Sequence, residues 1–311
     1  MYKHLFGPVP SRRLGMSLGI DLVPKKVCSL NCVYCEVGET TKLTVDRKEY
    51  VLFDKVKNEL QDFMNSNPNI DYITFSGAGE PTLNSRLGEL ISFVKDNYPD
   101  KRVAVLTNGS ILSDADLRKD LFLADVILPS LDAVSQDVFE RIDRPHKDIK
   151  IEDYIQGLID LRKEYQGEIW LEIMLIKDYN DSEEELSKIK SAVVRINPNR
   201  VQLNTLDRPG TVRDIEAVSN ERLRKIKRKW SLANLEIIAP PANRRRVESY
   251  SGSIEEHILS TISRRPCTLD DLHQYLGIHI NEINKYLSVL EQSGALKKQR
   301  QKRGVFYMVN S

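Results

Sequence analysis

The sequence has little cysteine, tryptophan or histidine, with 4, 2 and 5 of them in 311 residues, and its net charge is only +1. So few cysteines exclude the disulfide framework of a small secreted domain. A chain of this length buries enough surface to fold without such staples. No apolar run approaches the roughly 18 residues needed to span a bilayer, so no membrane segment is expected. The opening residues MYKHLFGPVPSRR contain no charged region followed by an apolar stretch. No signal peptide is therefore expected, and the cytoplasm is the expected compartment. Compositional bias is absent too. Apolar residues make up 41% and charged residues 29%, an ordinary globular mixture that excludes a disordered or fibrous chain. The length suits one large domain with a small one, or two medium ones.

The missing net charge is less informative than its distribution. Residues 1–194 carry 25 basic and 33 acidic side chains, whereas residues 195–246 carry 13 and 5. An acidic body is followed by a basic stretch that includes ERLRKIKRKW (221–230) and RRR (244–246). Such a stretch is either a solvated surface or, with other basic groups, a track for a nucleic-acid backbone.

What cysteine there is lies mostly together. Cys28, Cys32 and Cys35 form C-x3-C-x2-C in the run CSLNCVYC, and Cys267 stands apart as a small buried apolar residue. Three thiolates on one short loop can hold three irons of a 4Fe–4S cube and leave the fourth without a protein ligand. The competing reading is structural zinc, which wants four ligands, usually as two Cys or His pairs. The histidines (His4, His146, His257, His273 and His279) form no pair near the cysteines.

Around this loop, strand-like and helix-like runs alternate. Strands are expected at 16–23, 71–77, 102–109, 124–132, 168–176, 200–204 and 235–240. Helices are expected at 53–64, 86–98, from a Ser113 cap, at 151–165, after Asp181 or Ser182, and at 220–230. This α/β alternation means parallel strands covered by helices, and six or seven units fit a partial (β/α)6-type or full barrel. Active groups of such barrels gather at the C-terminal ends of strands. Gly77, Asn108, Asp132 and Asn204 fall there, as does the cysteine loop. Residues 241–253 read as a linker. Residues 254–311 then predict three helices and a basic hairpin, a small α+β winged helix-turn-helix in which the third helix and wing meet nucleic acid. The wing's Lys297, Lys298, Arg300, Lys302 and Arg303 are its candidate phosphate contacts.

The cysteine spacing, with Tyr34 before the last cysteine, resembles the cluster loop of the radical S-adenosylmethionine (SAM) superfamily. The segment TFSGAGEPTLN (74–84), with Gly77, Gly79 and Glu80, resembles that superfamily's "GGE" segment, which receives the amino group of SAM, although an extra residue separates the glycines. The resemblance continues through LTNG (106–109), SLD (130–132), EIMLIKDYND (172–181) and VQLNTLDRPGT (201–211). It implies a 4Fe–4S cluster on Cys28, Cys32 and Cys35. It also implies SAM contacts at Tyr34, Gly77, Gly79, Glu80, Thr107, Asn108, Ser130 and Asp132, with Glu172 and Asn204 as weaker candidates. The implied chemistry is reductive cleavage of SAM to a 5′-deoxyadenosyl radical that abstracts hydrogen, the hard step belonging to the cofactor. A one-electron reductant such as flavodoxin or ferredoxin is implied as a partner.

The opening GPVPSRRLGMSLGIDLVPKKVC resembles a subgroup of Fe–S oxidoreductases related to the tRNA wyosine-base synthases, often ending in a winged helix. Those synthases carry further cysteines for a second cluster, which this barrel lacks. Arg12 and Arg13 are candidates to grip a substrate phosphate or carboxylate, and Arg144 and Arg208, beyond the fourth and sixth strands, are candidates to point into the barrel mouth. Three readings follow. The first is a radical SAM enzyme acting on tRNA, other RNA or another large substrate. The second is an activase or modifier of a protein or peptide, and the third an Fe–S redox sensor that binds nucleic acid.

Overall fold

A computed structural model describes residues 2–66, 68–212, 214–238 and 254–310. The linker expected at 241–253 lies outside them, as does the RRR run.

The chain opens with a hairpin, β1 (Leu5–Ser11) antiparallel to β2 (Gly15–Asp21). The cysteine loop follows, braced by the two-residue parallel pair β3 (Val27–Cys28) and β4 (Lys42–Leu43). Then come α1 (Phe53–Met64), β5 (Tyr72–Ser76), α2 (Leu87–Asn97), β6 (Arg102–Thr107), α3 (Ala115–Asp120) and β7 (Val126–Pro129). The series continues with α4 (Gln136–Ile142), α5 (Ile151–Glu164), β8 (Glu168–Leu175), α6 (Glu183–Ile196), β9 (Arg200–Thr205), α7 (Asn220–Trp230) and β10 (Leu235–Ile237). One eight-stranded sheet runs in the order β1-β2-β5-β6-β7-β8-β9-β10. Every pair in it is parallel except β1 with β2. A curled sheet of this kind, open between β1 and β10, is the partial barrel expected from the alternation.

The two faces of the sheet explain the sequence pattern. One side of the strands, with Leu18, Ile20, Ile73, Phe75, Val103, Val105, Ile127, Leu171 and Leu203, packs with the helices in the main core. Each such side chain contributes about 1.5–3 kcal/mol on burial. The other side is the lumen, and its character changes along the strands. Leu14, Tyr72, Ala104, Val126, Leu128 and Trp170 form a separate apolar plug. Further toward the C-terminal strand ends the side chains of that same face turn polar, through Thr74, Glu172, Gln202 and Asn204. The plug closes one end, and the polar residues leave the other for chemistry.

Local capping follows its usual chemistry, with one correction. Ser182 caps α6 through Glu185 N, and Ser219 caps α7. Asp114, rather than the expected Ser113, caps α3 by accepting from Asp116 and Leu117. Several elements escaped the pattern, among them β1, α4 and the two-residue strands β3 and β4. β1 contains two prolines, which an edge strand tolerates, and α4 is only 7 residues long.

Residues 254–310 form α8 (Ile254–Arg264), β11 (Cys267–Thr268), α9 (Leu269–Leu276), α10 (Ile280–Gln292), β12 (Leu296–Gln301) and β13 (Gly304–Val309). The three strands make a separate antiparallel sheet in the order β11-β13-β12. Thr268 and Asp271 close a capping box on α9. Cys267 is fully buried in this unit's own core, as a small apolar residue would be.

Candidate active site at the strand ends

The cysteine loop is held first by backbone hydrogen bonds. Lys26 N–H donates to Ala78 O at 2.6 Å and Glu80 N–H to Val27 O at 3.1 Å, tying the loop to the Gly77–Glu80 turn after β5. This turn needs its glycines. A Cβ on Gly79 would lie 2.1 Å from Val27 O, and one on Gly77, at φ +122, would lie 1.5 Å from Asp21 Oδ1. Asp21, at the end of β2, accepts from Ala78 N–H at 2.9 Å.

Glu80 is buried and occupied. Its Oε1 accepts from Thr82 Oγ1 and Thr107 Oγ1, both at 2.6 Å, and its Oε2 accepts from Asn108 N–H at 2.7 Å. Burial pushes this carboxyl up, partly offset by Thr107 and Thr82. Thr107 Oγ1 in turn accepts from Gly109 N–H at 3.0 Å. The expected SAM contacts Glu80 and Thr107 therefore staple the ends of β5 and β6 together. What this segment presents outward is backbone. Asn108, expected on SAM, reaches the cysteine loop instead: its Nδ2 donates to Ser29 Oγ at 2.9 Å and approaches Cys28 Sγ at 3.6 Å.

The expected Tyr34 and Asp132 meet each other, the phenol donating to Asp132 Oδ2. Asp132 Oδ1 also accepts from Met174 N–H at 2.7 Å. Asp143, fully enclosed beside Cys32, shares this pocket, and burial raises both carboxyls. Ser130 stands opposite Glu172 in a parallel bridge, and its carbonyl accepts from Tyr154 OH.

Lys26 completes the loop and was not singled out by its sequence. Only 4% exposed, it places Nζ 2.9 Å from Cys35 Sγ. Burial works to lower its pKa, but the cysteines, Cys35 first, outweigh this and raise it. The one sequence signal was the lysine doublet directly before VCSLNC.

These residues suit a cluster. Three soft thiol donors sit on one loop with an ammonium and an amide N–H turned toward their sulfurs, the donors that iron-bound sulfur accepts. Burial pushes the thiol of Cys28 up to about 12 and raises that of Cys32 well above its ordinary value, so iron binding would release protons. Among the described residues no three His, Cys, Asp or Glu side chains converge as around a single ion. A four-iron cube asks for something different, one thiolate at each of three corners.

The seam where the β1–β2 turn meets β8 and β9 is built from long charged side chains. From the β1–β2 turn Arg13 reaches Glu172, which also accepts from Asn204 Nδ2 at 2.8 Å, and lies 3.2 Å from Gln202 Oε1. Burial alone would raise Glu172, but Arg13 and Asn204 hold it low. Glu172 and Asn204 thus serve the lumen. Arg12 lies 3.9 Å from Asp207. Arg208 is enclosed rather than pointing into the mouth, with Nη1 3.3 Å from Glu36, the neighbour of Cys35, and Nη2 3.1 Å from Tyr275 OH. Arg144 is exposed.

The expected wing contacts divide. Arg303 turns inward to Asp271, at 2.8 and 2.9 Å, and to Asp207, and Lys298 pairs with Glu291. Lys297, Arg300 and Lys302 stay exposed. On α7, Arg222 and Lys229 pair with Glu183, whereas Arg224, Lys225, Lys227 and Arg228 are exposed and have no described partner.

The strand-end cysteine loop and partial barrel agree with what comparison shows. The description of the Radical SAM superfamily matches residues 22–188, more than half of the chain, and the chain belongs to that superfamily. It is an iron–sulfur enzyme whose cofactors are a 4Fe–4S cluster and SAM. Within the superfamily it sits among the UPF0026 proteins: one from Methanocaldococcus jannaschii is 33% identical over 98% of this chain and 95% of its own length. A protein called GTPase Obg, from Brachyspira hyodysenteriae, is 39% identical over 99% of this chain, which spans only 45% of that protein. Among solved structures, TYW1 with a lysine-pyruvate adduct bound superposes with TM-score 0.54 at 18% identity, covering 73% of this chain and 75% of that one. A radical SAM methyltransferase from Sphaerobacter thermophilus gives 0.54 at 17%, covering 71% and 65%. At these identities the likeness is one of fold. Among the described residues no helix is long and apolar enough to cross a membrane.

Proposed function

We propose that this chain is a radical SAM oxidoreductase acting on RNA, tRNA first, in the cytoplasm. We assign residues 1–240 to the barrel and 254–311 to a winged helix. Cys28, Cys32 and Cys35 are the assigned cluster ligands. When bound, the cluster and SAM supply one-electron cleavage of the sulfonium and a radical that abstracts hydrogen from substrate. The chain's own residues position the parts. Lys26 and Asn108 hold the cysteine loop through its sulfurs, and the backbone of Gly77–Gly79 with Ser130 forms the cradle assigned to SAM. Glu80 and Thr107 fix that cradle from behind. Tyr34 and Asp132 wall the side toward the lumen.

The observation that carries the RNA reading is α7, whose four exposed cations Arg224, Lys225, Lys227 and Arg228 lack described carboxylate partners. A polyanion would release counterions there, giving salt-dependent binding. The likeness to TYW1, in the fold alone, is compatible with this. The test compares modified nucleosides in bulk tRNA and rRNA from cells with and without the protein. Loss of one nucleoside is expected. An unchanged profile, from protein that does form 5′-deoxyadenosine from SAM and reductant, would end the RNA reading and direct attention to a protein or peptide substrate.

A further inference from the structure

The cysteine loop is covered on three sides. Residues 142–146 cover one, where Asn31 N–H donates to Asp143 O and His146 N–H to Ser29 O, both at 2.9 Å. Residues 211–212 cover the second, with Thr211 Oγ1 donating to Cys32 O at 3.0 Å and Val212 N–H to Val33 O at 3.1 Å. The Gly77–Glu80 turn covers the third. On the fourth side, among the described residues, lies β4. Leu43 pairs with Cys28, and Thr44 N–H donates to Cys28 O at 3.0 Å. Lys42 is exposed there, and Leu43 is 40% exposed, a large apolar side chain facing solvent one strand from a cluster ligand.

Three exposed lysines lie on and beside this segment: Lys25, Lys42 and Lys48. Lys42 and Lys48 hold their ammonium groups 5.6 and 5.0 Å from the Tyr50 ring, and the Lys25 carbonyl accepts from Thr41 Oγ1 at 3.2 Å. None of the three has a described carboxylate partner, although Glu39 and Asp46 are exposed on the same segment. The other charges of this segment are engaged: Arg47 with Asp114 and Asp120, Glu49 with Arg86, Glu36 with Arg208.

We propose that β4 and its lysines are the docking face for a small acidic one-electron carrier protein that reduces the cluster. The proposal rests on the ligand assignment above. The carrier is oxidised by one electron and the cluster is reduced by one; no atom changes hands. Transfer rates fall steeply with distance, and neighbouring strands lie only about 4.8 Å apart. A carrier seated on Leu43 is therefore one strand from the Cys28 backbone. The lysines supply complementary charge, which acts mainly on the rate of encounter.

The test uses the reconstituted full chain and photoreduced flavodoxin as the carrier, with stopped-flow bleaching of the cluster absorbance as readout. The triple variant Lys25→Glu, Lys42→Glu, Lys48→Glu should slow reduction at low salt by about tenfold or more, and salt should erase the difference. Dithionite, which needs no docking face, should reduce variant and wild type alike. Reversing the exposed Arg195 on α6, which has no assigned role, should leave the flavodoxin rate unchanged. Equal flavodoxin rates for wild type and triple variant, with dithionite reducing both, would overturn the docking face alone. A wild type that holds no reducible cluster would overturn the ligand assignment and the proposal with it.

Discussion

The two sides of the barrel mouth are held by different forces. Around the cysteine loop, β2, β5 and β6 are tied chiefly by backbone hydrogen bonds and glycines, Ala78 with Lys26, Val27 with Glu80 and Asn108 with Ser29, and the ion pairs there are Asp21 with Arg264 and Glu36 with Arg208. Around the seam, the β1–β2 turn, β8 and the end of β9 meet through long ions: Arg13 with Glu172 and Arg12 with Asp207. Backbone bonds fix a position without adding charge, which suits a site that must hold a charged cluster and a sulfonium. Ion pairs cost desolvation and respond to pH and to added charge, so this side is the more sensitive to its electrostatic surroundings. The difference separates geometry fixed chiefly by backbone from geometry held by charge.

The largest effect falls on the cluster side. Cys32→Ala should abolish the charge-transfer absorbance and lower bound iron after anaerobic reconstitution, with the fold retained by circular dichroism. Full iron content in this variant would refute the ligand assignment. On the seam side, Arg13→Met leaves the half-buried Glu172 without its cation. With the two side chains 16% and 18% exposed, the loss should fall below that of a fully buried pair, at about 1–3 kcal/mol, to be read as a lower denaturant midpoint. Iron content should stay near wild type, because no backbone contact of the loop is touched. If iron fell as much as stability, the two sides would not be separable. Gly79→Ala should give the converse. Its methyl group overlaps Val27 O, overpacking worth about 1–3 kcal/mol, yet the loss should appear chiefly as weaker iron retention.

These contrasts were unevenly legible. The barrel could be read because buried strands and amphipathic helices repeat their apolar positions, as in RVAVLTNG and in Phe53, Val56, Leu60 and Phe63. The cysteine loop could be read because all three thiols lie within eight residues. Partners far apart could not. Arg13 and Glu172 are 159 residues apart, and Glu80 and Thr107 meet only because β5 and β6 are neighbours. A carboxylate after a strand looks alike in sequence whatever protein groups it meets, and the hydrogen bonds of Glu80 to Thr82, Thr107 and Asn108 appear only in the fold. Arg303 likewise read as a wing cation until the packing of α9 brought Asp271 beside it.

The smallest effect concerns pH, where the two sides differ in sign. Burial raises Asp132, so the folded state holds a proton that the unfolded chain has already released. Stability from this group is full below the unfolded aspartate value, roughly pH 4, and declines as pH rises toward neutrality. Glu172 is held low by Arg13 against the opposing effect of burial. Its contribution is present above the unfolded glutamate value, roughly pH 4.3, and is lost as pH falls through the lower folded value. Asp132→Asn should therefore flatten the decline between roughly pH 4 and 7, and Glu172→Gln should flatten the loss on acidification below roughly pH 4. Each slope corresponds to at most about 1.4 kcal/mol per pH unit for one proton, measurable by urea unfolding at a series of pH values. Slopes that both changed in the same direction would mean that the two carboxyls titrate as one network, and the division of the mouth into two sides would fail.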